Sequence, residues 1–283
     1  MIAFGDRLGL AFDRFGHLCV GIDPHSWLLA KWGLDDSPTG AREFGLRVVD
    51  AAHGLAGIVK PQVSFFERHG SAGFAALERV LAEARSAGLV VIADAKRGDI
   101  GSTLDAYGEA WLRPRSPLEA DAVTLSPYLG VGSLRGTLAY AAENGKGVFV
   151  LAATSNPEAA RVQLARLPEA DTTVAADVID QLTAWNAGQE PARFGSAGAV
   201  IGATIDPRTF GIDIDADQPH NALPVLAPGF GHQGADVADQ RRIFGSLSTG
   251  LIVSESRSIL EAGPDGLADA ISRRSEEVEK HRG

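Results

Sequence analysis

Apolar residues along this chain cluster in short runs that end in polar or turn residues, and the runs recur from one end to the other. They occupy 18–23, 57–60, 89–96, 122–126, 147–152, 197–202, 223–227 and 250–254. Within each run the apolar residues are nearly continuous rather than alternating, which is the pattern of strands covered on both faces in a parallel sheet. Between the runs the period changes. Phe74, Leu77, Val80, Leu81 and Ala84 share one helical face, Val174, Val178, Ile179 and Leu182 share another, and Leu267, Ile271 and Val278 follow more loosely. Helices are therefore predicted to start near Ala41, Ser71, Thr103, Ser133, Thr172, Ala235 and Asp265. Strand and helix alternate through the chain with no linker or break in composition. This predicts an α/β protein folded as a single (β/α)8 TIM barrel, one domain over 1–283, rather than an open sheet with a second domain. The longest stretch without a predicted strand, 154–196, is expected to hold an active-site loop ahead of its helix.

Composition narrows the function classes. With 283 residues, 45% hydrophobic and 22% charged, the chain can bury a full core, which excludes a disordered or fibrous protein. A formal net charge of −10 without a basic block is a poor match for nucleic acid, whose affinity comes largely from phosphate neutralisation. A small anionic substrate would then need local cations or backbone N–H groups. No apolar run approaches the ~18 residues of a membrane helix, and Met1-Ile2-Ala3-Phe4-Gly5-Asp6-Arg7 lacks the basic-then-apolar order of a signal peptide. The sole cysteine, Cys19, lies in an apolar run and reads as a small buried hydrophobe, with no disulfide or cysteine-based zinc site to form. The prediction is a soluble cytoplasmic protein.

In a barrel of this kind, chemistry sits at the C-terminal ends of the strands. Asp23, Lys60, Asp94, Lys96 and Asp99, the segment Thr154-Ser155-Asn156, the loop from Gly229 to Gly234, and Ser256-Arg257-Ser258 all fall there. Asp94 and Lys96 are two apart on a strand and should share a face. They read either as an acid–base array or as a buried ion pair that only holds the strand end. Flanking carboxylates favour a protonated Lys96, which suits a proton donor and argues against a Schiff-base nucleophile. Glycines 229, 231 and 234, a helix starting at Ala235, and Arg257 form a candidate phosphate site, with an ordinary turn as the alternative for the glycines. Asp23 reads alternatively as a helix cap and Lys60 as a surface lysine. The histidines show no metal-ligand spacing, and His53, His69 and His281 are expected to be solvated.

Taken together, Asp94-Ala95-Lys96-Arg97-Gly98-Asp99, extended to Thr103, with Lys60, Ser155, Gln233 and Arg257, resemble the orotidine 5′-phosphate decarboxylase family, in particular its longer bacterial branch. The resemblance runs from Gly21-Ile22-Asp23-Pro24 to Ser256-Arg257-Ser258. It implies decarboxylation of orotidine 5′-monophosphate to uridine 5′-monophosphate, with no metal or organic cofactor. It also implies a homodimer in which Asp99 and Thr103 reach the partner's site. By the same resemblance Lys96 is the proton donor, and Asp94, Asp99 and Lys60 hold it in a network. Asp23 and Lys60 contact ribose, Ser155 contacts the pyrimidine, and Pro228, Gln233 and Arg257 belong to the substrate site, the last two as a phosphate grip. Leu125-Ser126-Pro127-Tyr128 departs from the Asn-Pro-Tyr of this branch, so Ser126 is given no role. Three rivals remain: a magnesium-dependent enzyme acting on keto-sugar phosphates, a Schiff-base aldolase, and a nucleotide-binding regulator without activity.

Overall fold

The computed structural model describes residues 2–168, 170–217 and 220–282. Met1, Glu169, Gln218, Pro219 and Gly283 lie outside it, and with them both ends of the expected span 1–283. All eight apolar runs form strands, with boundaries moved by one or two residues. In chain order they are β1 (Leu18–Ile22), β2 (Ile58–Pro61), β3 (Val90–Arg97), β4 (Ala122–Leu125), β5 (Gly147–Ala153), β6 (Ala197–Ile201), β7 (Val225–Pro228) and β8 (Leu251–Glu255). Each pairs in parallel with its neighbours in the chain, and β8 returns to β1 with Val253 opposite Leu18, so the sheet closes into a barrel. In β1, β2, β4, β6 and β8 every residue is buried, because the barrel interior covers one face and the helices cover the other. In the closed order β3 stands across the barrel from β7.

Helices fill the gaps as the periodicity requires, at Pro38–Ala52, Gly70–Ser86, Gly101–Leu112, Arg135–Glu143, Val174–Ala187 and Gly263–Lys280. Two starts are set by side-chain caps. The Ser37 hydroxyl accepts from the Gly40 N–H and the Thr173 hydroxyl from the Ala176 N–H. The helix expected near Ala235 begins two residues later, with a 3-10 turn at Val237–Asp239. Ala235 is tied back into its own loop, donating to the Gly229 carbonyl and accepting from the Gly231 N–H, and a five-residue helix begins only at Gln240. The stretch after β5 also departs from expectation. It carries a short antiparallel ribbon, Arg166–Leu167 against Thr172–Thr173, before its helix.

A helix absent from the expected elements, Phe4–Phe15, precedes β1. Its buried stripe Phe4, Leu8, Ala11 and Phe12 packs into one cluster with Cys19, Ile58, Ile92, Phe149 and Ile252 from the strands. The helix thereby plugs one end of the barrel and leaves the other for chemistry. The fit is close. The Phe4 and Phe149 rings meet edge to face at 6.1 Å, and a Cβ on Gly5 would stand 1.7 Å from the Phe194 carbonyl oxygen. Among the described residues no helix is long and apolar enough to cross a membrane.

Phe4→Ala is expected to lower the unfolding free energy by about 3 kcal/mol through lost burial and an unfilled cavity. The check is a shift in the denaturant midpoint at unchanged slope. Ligand affinity at the opposite end of the barrel should stay unchanged.

Candidate active site

The open end of the barrel holds a cavity of about 420 Å3, a size suited to a small ligand. Asp23 after β1, Lys60 on β2, Asp94 and Lys96 on β3, Ser155 after β5, Pro228 on β7, and Gln233 and Arg257 beyond β7 and β8 all line it. These residues lie far apart in sequence and meet only because parallel strands bring the same ends together. Asp99 and Thr103 do not line the cavity. Asp99 is half-buried with Oδ1 accepting from the Ile100 N–H, and Thr103 is exposed on the helix that follows.

One carboxylate organises the β2–β4 side. Asp94 Oδ2 accepts from Lys60 Nζ at 2.9 Å, and Oδ1 accepts from Lys96 Nζ at 2.5 Å. Burial alone would push the Asp94 carboxyl up, but the two ammoniums outweigh it and hold it well below the usual carboxylate range. Burial likewise works against the Lys60 charge, and Asp94 with Asp23 raise Lys60 above an ordinary lysine in spite of it. Lys60 is nearly inaccessible, at 7% side-chain exposure, whereas Lys96 at 45% presents its ammonium to the cavity. The surface-lysine reading of Lys60 is thereby excluded.

Asp94 and Lys96 do meet, but not through a regular strand face. The pairing of β3 with β4 shifts register between Ala93 and Arg97, and Lys96 takes a left-handed backbone conformation, φ +47°. Such strain in a non-glycine residue needs surrounding support. Thr124 on β4 supplies it. Its hydroxyl oxygen accepts from the Lys96 N–H at 2.9 Å, and the hydroxyl donates to Asp94 Oδ1 at 2.9 Å. Sequence reasoning missed Thr124, because a threonine inside an apolar strand carries no distinguishing pattern. Gln62, one residue past the end of β2, was missed as well, and its Nε2 donates to the Asp94 carbonyl at 3.2 Å.

The β7–β8 side is built from backbone and a guanidinium. Gly229, Gly231 and Gly234 have φ of +119°, +66° and +102°, which favours glycine in this loop. Arg257 opens a four-residue helix after β8 and forms no ion pair with a described residue, unlike Lys60 and Lys96. Asp23 does not cap the following helix, whose cap position is His25. Its Oδ1 is buried beside the cavity with no hydrogen-bond partner among the described residues. Ser155 lies against Gly202, where a Cβ would come within 3.2 Å of the Ser155 nitrogen.

The remaining candidates take structural places. Cys19 is buried, and burial pushes its thiol up to about 12. His17 stacks on Phe12 at 3.7 Å, and its burial lowers its pKa. His69 is not solvated as expected. Its side chain is 14% exposed and folds toward Asp36, 3.8 Å away. Among the described residues no three His, Cys, Asp or Glu side chains assemble as a possible metal site.

Comparison with known proteins agrees with this geometry. A profile described as the orotidine 5′-phosphate decarboxylase/HUMPS family matches residues 16–270. Relatives named orotidine 5′-phosphate decarboxylase include one from Salinispora arenicola, 52% identical over 94% of this chain and 92% of its own. Another, from a Nocardioides species, is 48% identical over 98% and 99%. A crystal structure from Streptomyces avermitilis, assigned to the same activity, superposes with a TM-score of 0.92 at 48% identity, covering 100% of this chain and 96% of that one. The Leishmania donovani OMP decarboxylase superposes at 0.79 with 29% identity over 99% of both chains. A barrel with this charge array, matched by the profile along most of its length and by relatives at about half identity, belongs to the orotidine 5′-phosphate decarboxylase/HUMPS family.

Proposed function

We propose that this chain converts orotidine 5′-monophosphate to uridine 5′-monophosphate and carbon dioxide, the last step of de novo UMP synthesis, with Lys96 as proton donor. The observation that carries this reading is the Lys60–Asp94–Lys96 array on one wall of the cavity, with the unpaired Arg257 contributed from the β7–β8 side. Breaking the bond between C6 and the carboxylate leaves the electron pair on C6, where the pyrimidine offers little delocalisation. Charge must therefore be stabilised at that atom by groups already in place. The Lys96 ammonium does this and then transfers a proton to C6, after which solvent restores its proton. Asp94 and Thr124 fix Lys96, and Lys60 keeps Asp94 ionised. Asp23 and Lys60 face the ribose, Ser155 and Pro228 the pyrimidine side, and Gln233 with Arg257 the phosphate. Because Lys96 supplies both charge and proton, the mechanism calls for no metal or organic cofactor.

A homodimer completes the site in this reading, with Asp99 and Thr103 of one protomer reaching into the cavity of the other. Both residues lie outside their own cavity, and Ile100 between them is 60% exposed. Tyr128 and Leu129, on the neighbouring loop after β4, are 80% and 54% exposed. The two loops touch, with the Ser126 N–H donating to the Arg97 carbonyl, so they offer one apolar rim to a second copy.

Three outcomes test this. Loss of the orotate chromophore should proceed undiminished in excess EDTA and fall by on the order of 10^3 or more in Lys96→Ala, which should still bind uridine 5′-monophosphate. Mixing inactive Lys96→Ala with inactive Asp99→Ala should restore about a quarter of wild-type turnover through exchanged protomers. No recovery after exchange would remove Asp99 from the partner's site. Asp94→Asn should cost about 3 kcal/mol of stability near neutral pH, since it leaves Lys60 buried without its partner. The Asp94 pKa is depressed on folding, so its contribution is full above the ordinary carboxylate value of about 3.9 and is lost as pH falls toward the depressed one. The deficit of the variant, read from urea midpoints, should therefore narrow below about pH 4.

A further inference from the structure

The β7–β8 rim carries an anion of its own. Glu255 ends β8, immediately before Ser256-Arg257-Ser258, and its side chain is fully buried. A carboxylate hidden beside a site for a phosphate loses its hydration and would repel the ligand unless its charge is offset. Arg274, from the helix Gly263–Lys280, supplies that offset. Its Nε and Nη2 reach Glu255 Oε1 at 2.6 and 2.5 Å. The other oxygen, Oε2, accepts from the Ser258 hydroxyl at 2.6 Å and faces Gly231, where a Cβ would stand 2.6 Å away. One carboxylate therefore touches both segments that reach the rim, the turn bearing Arg257 and the glycine loop bearing Gln233. Both need external support. The helix opened by Arg257 has four residues, and the loop runs through three glycines with positive φ.

We propose that Glu255, with Arg274 as counter-ion, is a positioning residue for the phosphate of the substrate. It pins Ser258 and the Gly231 backbone so that Arg257 and Gln233 converge on one point. This rests on the reading of that rim as the phosphate site. Glu255 acts through these segments and not by contact, since its side chain is fully buried and each oxygen already accepts from Arg274 or Ser258. Its pairing with Arg274, whose Nη1 also holds the more exposed Glu277 at 2.5 Å, leaves Arg257 free to meet the ligand.

The test compares dissociation constants of uridine 5′-monophosphate and of uridine, by calorimetry, for wild type, Glu255→Gln, Ser258→Ala and Arg257→Ala. Glu255→Gln and Ser258→Ala should weaken the nucleotide about tenfold, the scale of a lost hydrogen bond to a charged group, and leave uridine unchanged. Equal weakening of both ligands would mark Glu255 as general scaffolding and overturn the proposal, as would unaltered nucleotide affinity. If Arg257→Ala weakens the nucleotide selectively and the other two do not, the proposal fails while the phosphate reading stands. If Arg257→Ala also has no effect, the phosphate reading itself is wrong. Should Glu255→Gln not fold, Ser258→Ala decides, because it removes only one hydroxyl.

Discussion

The site depends on one carboxylate shared between two ammoniums in a place with little water. Asp94 is buried at 6% exposure, and its two oxygens each hold a different lysine. Removing the Asp94 and Lys60 charges from water is costly, and only close pairing makes the arrangement tolerable. That constraint explains the local backbone. The register break in β3, the left-handed Lys96 and the Thr124 hydroxyl that spans both residues all serve to bring Lys96 Nζ back onto the carboxylate it follows by two positions.

The barrel divides its labour by end. At one end the Phe4–Phe15 helix and the inward aromatic side chains make a dry, close-packed plug. Strand ends there are anchored by the Arg7–Asp121 pair at 2.5 Å and by Lys146, which lies 2.7 Å from Glu119. At the other end the strands carry or lead into polar residues such as Asp23, Lys60, Asp94, Ser155 and Arg257, which line a cavity. Rigidity at the plugged end lets the open end hold charged groups in fixed positions, because the strands carrying them cannot shift independently.

The two sides of the cavity use different means to handle charge. Around Asp94 the cations are already paired and serve to fix geometry. Around Arg257 the cation has no ion-pair partner among the described residues, and the nearby carboxylate of Glu255 is held by Arg274 and Ser258. In the proposed function this difference gives the ligand a direction, with its phosphate toward Arg257 and its reacting carbon toward Lys96.

Much of this was legible along the chain. Short, near-continuous apolar runs bounded by turn residues point to strands covered on both faces, and their alternation with helical periods leaves few topologies, so the barrel followed. Charged residues at the ends of such runs can sit only at the rim, which placed Asp94, Lys96, Lys60 and Arg257. Other features were silent. Thr124 and Glu255 lie within strands where one polar residue carries no periodic signal, and their meaning comes from partners 28 and 19 residues away, Lys96 and Arg274. The Phe4–Phe15 helix has a readable stripe, but its role as a plug exists only once a barrel is there to be closed. The loop at Ala235 folded back on itself because glycines on its approach allow hydrogen bonds that a local helix signal does not foresee. Sequence determines which residues must be buried and in what period. Only tertiary structure decides which of them touch, because contacts between distant strands depend on register and closure, and neither is written in any local pattern.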